Sequence, residues 1–192
     1  MSRFPDTRFI LSAASPAQFP ADRGAEVAFA GRSNAGKSSA INAILVRHGL
    51  ARTSKLPGRT RLLNFFEVGP DRRVVDLPGY GYARAPDSER ATWESAIDAL
   101  RARSSLRGLY LIVDARRGLT AADQQLIEWV DPTQRYVHVL LAKADKLSRA
   151  EGRSVLQHAS AQLARGVTVQ LFSALRGVGV QEAQGVLETW LK

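Results

Sequence analysis

Between Gly31 and Ser39 the chain reads GRSNAGKSS, and the spacing Gly31-x-x-x-x-Gly36-Lys37-Ser38 is that of a loop that holds phosphate. The two glycines allow a tight backbone turn. Successive amides from Gly31 through Arg32, Ser33, Asn34, Ala35 and Gly36, with the N-terminus of a following helix, can then face an anion. Lys37 would reach the β- and γ-phosphate oxygens, and the Ser38 hydroxyl would ligate Mg²⁺. The loop specifies phosphate but leaves the base open. A second stretch, VVDLPGYG over Val74–Gly81, ends an apolar run on a carboxylate and continues into a glycine-containing turn. Asp76 would hold the same Mg²⁺ through water. The turn Leu77-Pro78-Gly79 would bring the Gly79 amide to the γ-phosphate, so that the loop senses whether that phosphate is present.

The base is addressed by LLAKADKL over Leu140–Leu147. Asp145, within Lys143-Ala144-Asp145-Lys146, can accept from guanine N1–H and from the exocyclic amine, and adenine offers no such donor pair. A site that leaves a buried carboxylate unpaired rejects the wrong base strongly. Lys143 would lay its aliphatic stem over the base. Phe172, Ser173 and Ala174 follow the last apolar run, where backbone groups can cap guanine O6. These residues imply GTP. A P-loop ATPase or kinase would lack Lys143-x-Asp145 and would usually add a lid, for which no residues remain. A non-hydrolysing, GTP-loaded binding module stays open, because the residue after DLPG is Tyr80, whose ring cannot orient an attacking water as an amide does.

Apolar runs alternating with amphipathic segments predict an α/β fold, a mostly parallel sheet with helices on both faces. Strands are expected over Glu26–Ala30, Leu62–Val68, Arg73–Asp76, Leu109–Asp114, Tyr136–Ala142 and Thr168–Phe172. The second of these follows a loop and is expected to run antiparallel. Helices are expected after Gly36 and over Ser88–Arg103, Ala121–Val130, Arg149–Leu163 and Gln181–Leu191. Trp93, Ile97 and Leu100 share one helical face and read as core, and Thr120 with Asp123 reads as a capping box. Residues 1–25 read as an N-terminal extension that packs across the sheet edge or frays, and 26–192 as the nucleotide-binding domain.

The chain has 192 residues, enough for one ordinary domain. It contains no cysteine, which excludes disulfides, thiolate metal sites and a cysteine nucleophile and suits the cytoplasm. No apolar run approaches the roughly 18 residues of a membrane span. The first residues are too broken for a secretory signal, so no membrane association is expected. The net charge of +9 favours a polyanionic partner. Arg52, Lys55, Arg59 and Arg61, with Arg72, Arg73 and Arg84, are expected to gather around the switches. His48, His138 and His158 lack metal-ligand spacing and read as loop or surface residues.

GRSNAGKSS, TSKLPGRTRLLNFF, VDLPGYGYA, VDARRGLT, AKADKL and FSALRGVG, in this order over residues 9–190, closely resemble the EngB (YihA/YsxC) family. That family belongs to the TrmE–Era-like P-loop GTPases. The resemblance implies a six-stranded Ras-like fold and GTP hydrolysis with Mg²⁺. It also implies action on the large ribosomal subunit, and a link to cell division and septation. It makes Thr60 the switch threonine that joins Ser38 and Asp76 on Mg²⁺, with Gly58, Arg59, Thr60, Arg61 and Leu62 closing on the γ-phosphate. It implies that Asn34 helps hold K⁺ beside the phosphates, so that Lys37, Thr60, Gly79 and Asn34 form the catalytic set. The chain departs from the family pattern at Leu56, Arg61 and Ala142, where Thr, Gln and Asn or Thr are usual. A slow, monomeric switch is the expectation.

Overall fold

Alternation along the buried strands decides which side chains meet which helices. The computed structural model describes residues 3–47, 49–51, 62–80, 95–131 and 134–192. Its strands are β1 (Arg8–Ala13), β2 (Ala25–Gly31), β3 (Leu63–Gly69), β4 (Arg72–Asp76), β5 (Leu106–Asp114), β6 (Tyr136–Ala142) and β7 (Val167–Leu171). They form one seven-stranded sheet in the order β1-β3-β4-β2-β5-β6-β7. β2, β4, β5, β6 and β7 are parallel, whereas β3 runs antiparallel to both β1 and β4. The helices are α1 (Lys37–Ile44), α2 (described over 95–101), α3 (Ala121–Val130), α4 (Arg149–Gln162) and α5 (Val180–Trp190).

On β2, Val27 and Phe29 point to one face, and Ala28 and Ala30 to the other; Tyr110 and Ile112 on β5 oppose Leu109, Leu111 and Val113 in the same way. Ala40, Ile41 and Ile44 of α1 cover the first face, with Ala183, Leu187 and Trp190 of α5. Ile97 and Leu100 of α2, Ile127 and Val130 of α3 and Ala159 of α4 cover the second. Burying each large aliphatic or aromatic side chain contributes about 1.5–3 kcal/mol. The Phe29 and Tyr110 rings stack at 4.6 Å, and Tyr110 Oη donates to the Ala183 carbonyl at 2.7 Å, which fixes α5 over the sheet.

Three expectations are corrected. Among the described residues the sheet has seven strands rather than six, because Arg8–Ala13 pairs along β3 and extends the edge. Phe9 of this strand meets Phe66 edge-on at 5.8 Å, which gives an edge strand an apolar hold on its neighbour. Arg73 belongs to no switch surface. It is 6% exposed at the N-terminal end of β4 and donates to Glu26 Oε1 at 2.8 Å. His138 lies inside the fold, with Nδ1 2.6 Å from Thr168 Oγ1 and Nε2 2.8 Å from Gln170 Oε1, and burial lowers its pKa. His158 is exposed on α4, and His48 lies outside the described residues, as do Arg52, Lys55, Arg59, Arg61, Arg84 and Trp93.

Candidate functional site

The C-terminal ends of β2, β4, β5, β6 and β7 lie side by side, the edge at which open α/β sheets bind ligands. β2 is buried along its length and ends at Gly31, where a Cβ would sit 2.7 Å from the Ile112 carbonyl of β5, so only glycine fits. Asn34 at φ 63° and Gly36 at φ 110° then turn the chain into α1. Gly36 is the N-cap and supplies no side-chain acceptor, so the positive end of α1 is presented to the loop.

Asp76 ends β4 in register with Phe29 of β2, and the ladder continues through Leu77 N–H, which donates to the Phe29 carbonyl at 2.9 Å. Lys37 Nζ donates to Asp76 Oδ1. Ser33 N–H donates to the Tyr80 carbonyl at 3.3 Å, which laces the phosphate loop to the DLPG turn. Ser38 stands next to Lys37 on the first turn of α1. Ser38 and Asp76 offer hard oxygen donors of the kind Mg²⁺ takes, at the mouth of an anion-binding loop.

On the base side, β6 ends at Ala142, and Lys143 follows at φ 61°. Asp145 lies in a 3-10 turn over Ala144–Lys146, whose Ala144 N–H donates to the Phe172 carbonyl at 3.1 Å. The buried Ser173 hydroxyl donates to Asp145 Oδ1 at 2.6 Å and accepts from Arg176 N–H at 3.2 Å. Asp145 is held below the usual carboxylate range by the Ser173 hydrogen bond first, then by a backbone N–H, Lys146 and Arg176. The acceptor therefore stays ionised and aimed.

The structure brings together Gly31–Ser38, Asp76–Gly79, Lys143–Lys146 and Phe172–Ala174, with Leu62 just before β3, whose Asn64 pairs with Asp76. Gly58, Arg59, Thr60 and Arg61 lie outside the described residues. Two further carboxylates adjoin the site, Asp114 of VDARRGLT and the capping-box Asp123, for which the sequence implied no role in it. Asp114 ends β5 opposite Ala142 and accepts from Lys143 Nζ at 3.0 Å and from Arg116 Nη2 at 2.7 Å. Its signal was available, since LIVDA repeats the apolar run and terminal Asp of VVDLP. Asp123, the box residue of α3, accepts from Thr120 N–H at 2.7 Å and also from Tyr80 Oη. Burial and the Asp123 carboxylate raise the Tyr80 phenol well above its usual range. Tyr80 is thus anchored to α3.

Comparison with known proteins bears on this geometry. The family described as 50S ribosome-binding GTPase matches residues 26–143. A probable GTP-binding protein EngB of Thiobacillus denitrificans is 52% identical over 186 residues, covering 95% of this chain and 90% of the relative. The chain belongs to the EngB family. A second EngB relative, from Azoarcus sp., is 47% identical over 196 residues, covering 100% of this chain and 94% of the relative. Among solved structures, a probable EngB protein has TM-score 0.68 at 21% identity, covering 87% of this chain and 98% of its own. A single-substitution variant of Aquifex aeolicus Era bound to GDP.AlF4⁻ has TM-score 0.65 at 20% identity, covering 87% of this chain and 56% of its own. These two establish the shared fold. As an EngB protein, the chain is a GTP-binding protein of the P-loop GTPase family, which implies GTP hydrolysis. Among the described residues, no helix is long and apolar enough to cross a membrane.

Proposed function

We propose that this chain is a slow GTP-hydrolysing switch that acts in assembly of the large ribosomal subunit and is required for normal cell division and septation. It works as a cytoplasmic monomer. The observation that carries the reading is the joining of the base and phosphate sets through Lys143, whose Nζ donates to the Asn34 carbonyl at 2.6 Å. Mg²⁺ would be held by Ser38, Asp76 and Thr60, and would neutralise the charge that develops on the phosphates. Lys37 would leave Asp76 for the phosphate oxygens. Slow turnover is supported by Tyr80, whose hydroxyl is engaged by Asp123 and whose ring offers no amide to the attacking water. Asn34 would help hold K⁺ there, supplying the charge an arginine finger brings elsewhere.

The ribosomal partner is supported by the family description and by the net charge of +9. The role in division rests on the family resemblance. A GTP analogue should favour binding to large-subunit particles over GDP, and added salt should weaken that binding. Equal affinity in the two nucleotide states would reduce the charge to generic adhesion. Phosphate release measured with and without the particles separates this reading from a second one, a non-hydrolysing GTP-dependent RNA- or ribosome-binding module. Faster turnover in K⁺ than in Na⁺ of matched ionic strength, with that stimulation lost in Asn34→Ala, is the expected signature of the cation site. Wild-type turnover that ignores the cation would remove it.

A further inference from the structure

The geometry points to Asp114 as a positioning residue for nucleotide binding, one that holds Lys143 as a rigid strut between the base site and the phosphate loop. This inference rests on the guanine-site reading and extends it to a residue outside every nucleotide motif. Lysine is a long flexible chain, and one that must lie flat over a base loses rotamer freedom on binding. Here that freedom is already spent. Lys143 leaves β6 in the left-handed region, at φ 61°, a conformation unfavourable for a side chain of this size. Its stem crosses the phosphate loop, with Cε at 3.9 Å from where a Gly36 Cβ would stand. Its ammonium then has two fixed acceptors, the Asn34 carbonyl at 2.6 Å and Asp114 Oδ2 at 3.0 Å.

Asp114 is itself fixed. It ends β5, is buried, and pairs across the ladder with Ala142. Ala115 N–H donates to the Ala142 carbonyl at 2.8 Å, which clamps the two strand ends together. Arg116 supports the carboxylate through its backbone N–H at 3.1 Å and its Nε at 3.0 Å. Ala142 ends β6 with a methyl group, which has no polar atom with which to brace the loop. The neighbouring strand supplies the brace instead. A pre-set lysine costs less to order when nucleotide arrives, so Asp114 raises affinity without touching the base. The Arg116 and Lys143 donors also keep the Asp114 carboxyl far below the usual carboxylate range, so the strut keeps its charge.

Titrations of GDP and of IDP, which lacks the exocyclic amine, test the assignment. Asp114→Asn should weaken GDP by about tenfold and IDP by the same factor, because the strut acts on the ring face rather than on the edge read by Asp145. In a Lys143→Met background the same substitution should cost less than about twofold, since the group it positions is gone. Arg116→Ala, which loosens the carboxylate but leaves its pair with Lys143, should cost about threefold, less than Asp114→Asn, and gives a readout even if Asp114→Asn folds poorly. Asp114 loses the role if its substitution leaves GDP affinity within about twofold, or changes the GDP to IDP ratio. It also loses it if the cost persists without Lys143, or if Arg116→Ala is equally damaging. A wild type with no preference for GDP over IDP would instead sink the base-site reading itself, and the strut with it.

Discussion

Adjacent strands of this sheet carry buried carboxylates at opposite ends, and the two are built differently. At the N-terminal end of β2, Glu26 is 0% exposed and receives Arg73 Nη1 at 2.8 Å, Arg103 Nε at 2.6 Å and Nη2 at 2.9 Å, and Ser105 Oγ at 2.9 Å. Both guanidiniums also donate to carbonyls of residues 20–23. Asp76, at the C-terminal end of β4, is 5% exposed and is held by Lys37 Nζ. Two planar forks saturate the first carboxylate and lock three segments of chain together. A flexible ammonium attends the second, and it can swing to another anion. A buried charge pair that is closed on all sides serves the fold, whereas one left open to exchange serves binding.

The largest expected effect is at the closed end. Glu26→Ala would leave two buried guanidiniums without their carboxylate and should cost about 3–5 kcal/mol, read from urea unfolding. A loss below about 1 kcal/mol would break the contrast. At the open end, Asp76→Asn should lower GTP turnover about 100-fold while the folding free energy moves by less than about 1 kcal/mol, because Lys37 can turn toward solvent. If its unfolding cost matches that of Glu26→Ala, the two sites are alike and the contrast between them is lost. Next comes Tyr80→Phe, which removes a hydrogen bond to the charged Asp123 and should cost about 1–2 kcal/mol. Basal turnover should stay within about twofold, and a larger fall would mean that the phenol reaches the attacking water. The smallest effect is expected where solvent screens the pair. Arg8 Nε donates to Glu67 Oε2 at 2.6 Å, but the Arg8 side chain is 74% exposed. Arg8→Ala should change stability by less than about 0.5 kcal/mol in thermal melts.

Much of this architecture was legible along the chain. The α3 boundaries, Ala121–Val130, and the Thr120–Asp123 box follow from local capping chemistry, and the observed bonds agree. Strand β6 has the expected bounds, Tyr136–Ala142, and other strand ends moved by at most three residues, as at β5, which begins at Leu106 rather than Leu109. Strand β1 was hidden because RFILSA is an edge strand exposed along most of its length, without a buried apolar run, and its pairing with β3 is a contact between residues about fifty or more apart. Arg73 was misplaced for a related reason. Nothing in the string around it shows that Glu26, forty-seven residues earlier, is its partner.

What the sequence determined by itself is the chemistry that depends on short spacing: the glycine turn before Lys37, an aspartate at the end of an apolar run, and a lysine two residues before Asp145. Those patterns act within a single turn of chain, so local sterics and hydrogen bonding set them. Tertiary structure alone decided which partners the charged groups choose. Parallel pairing of β5 with β6 places Asp114 beside Ala142, and the crossing of Lys143 over the phosphate loop unites two motifs 109 residues apart. Such pairings need the sheet already formed, because only then do distant strand ends share one edge, where a buried lone charge would be costly and a paired one is held.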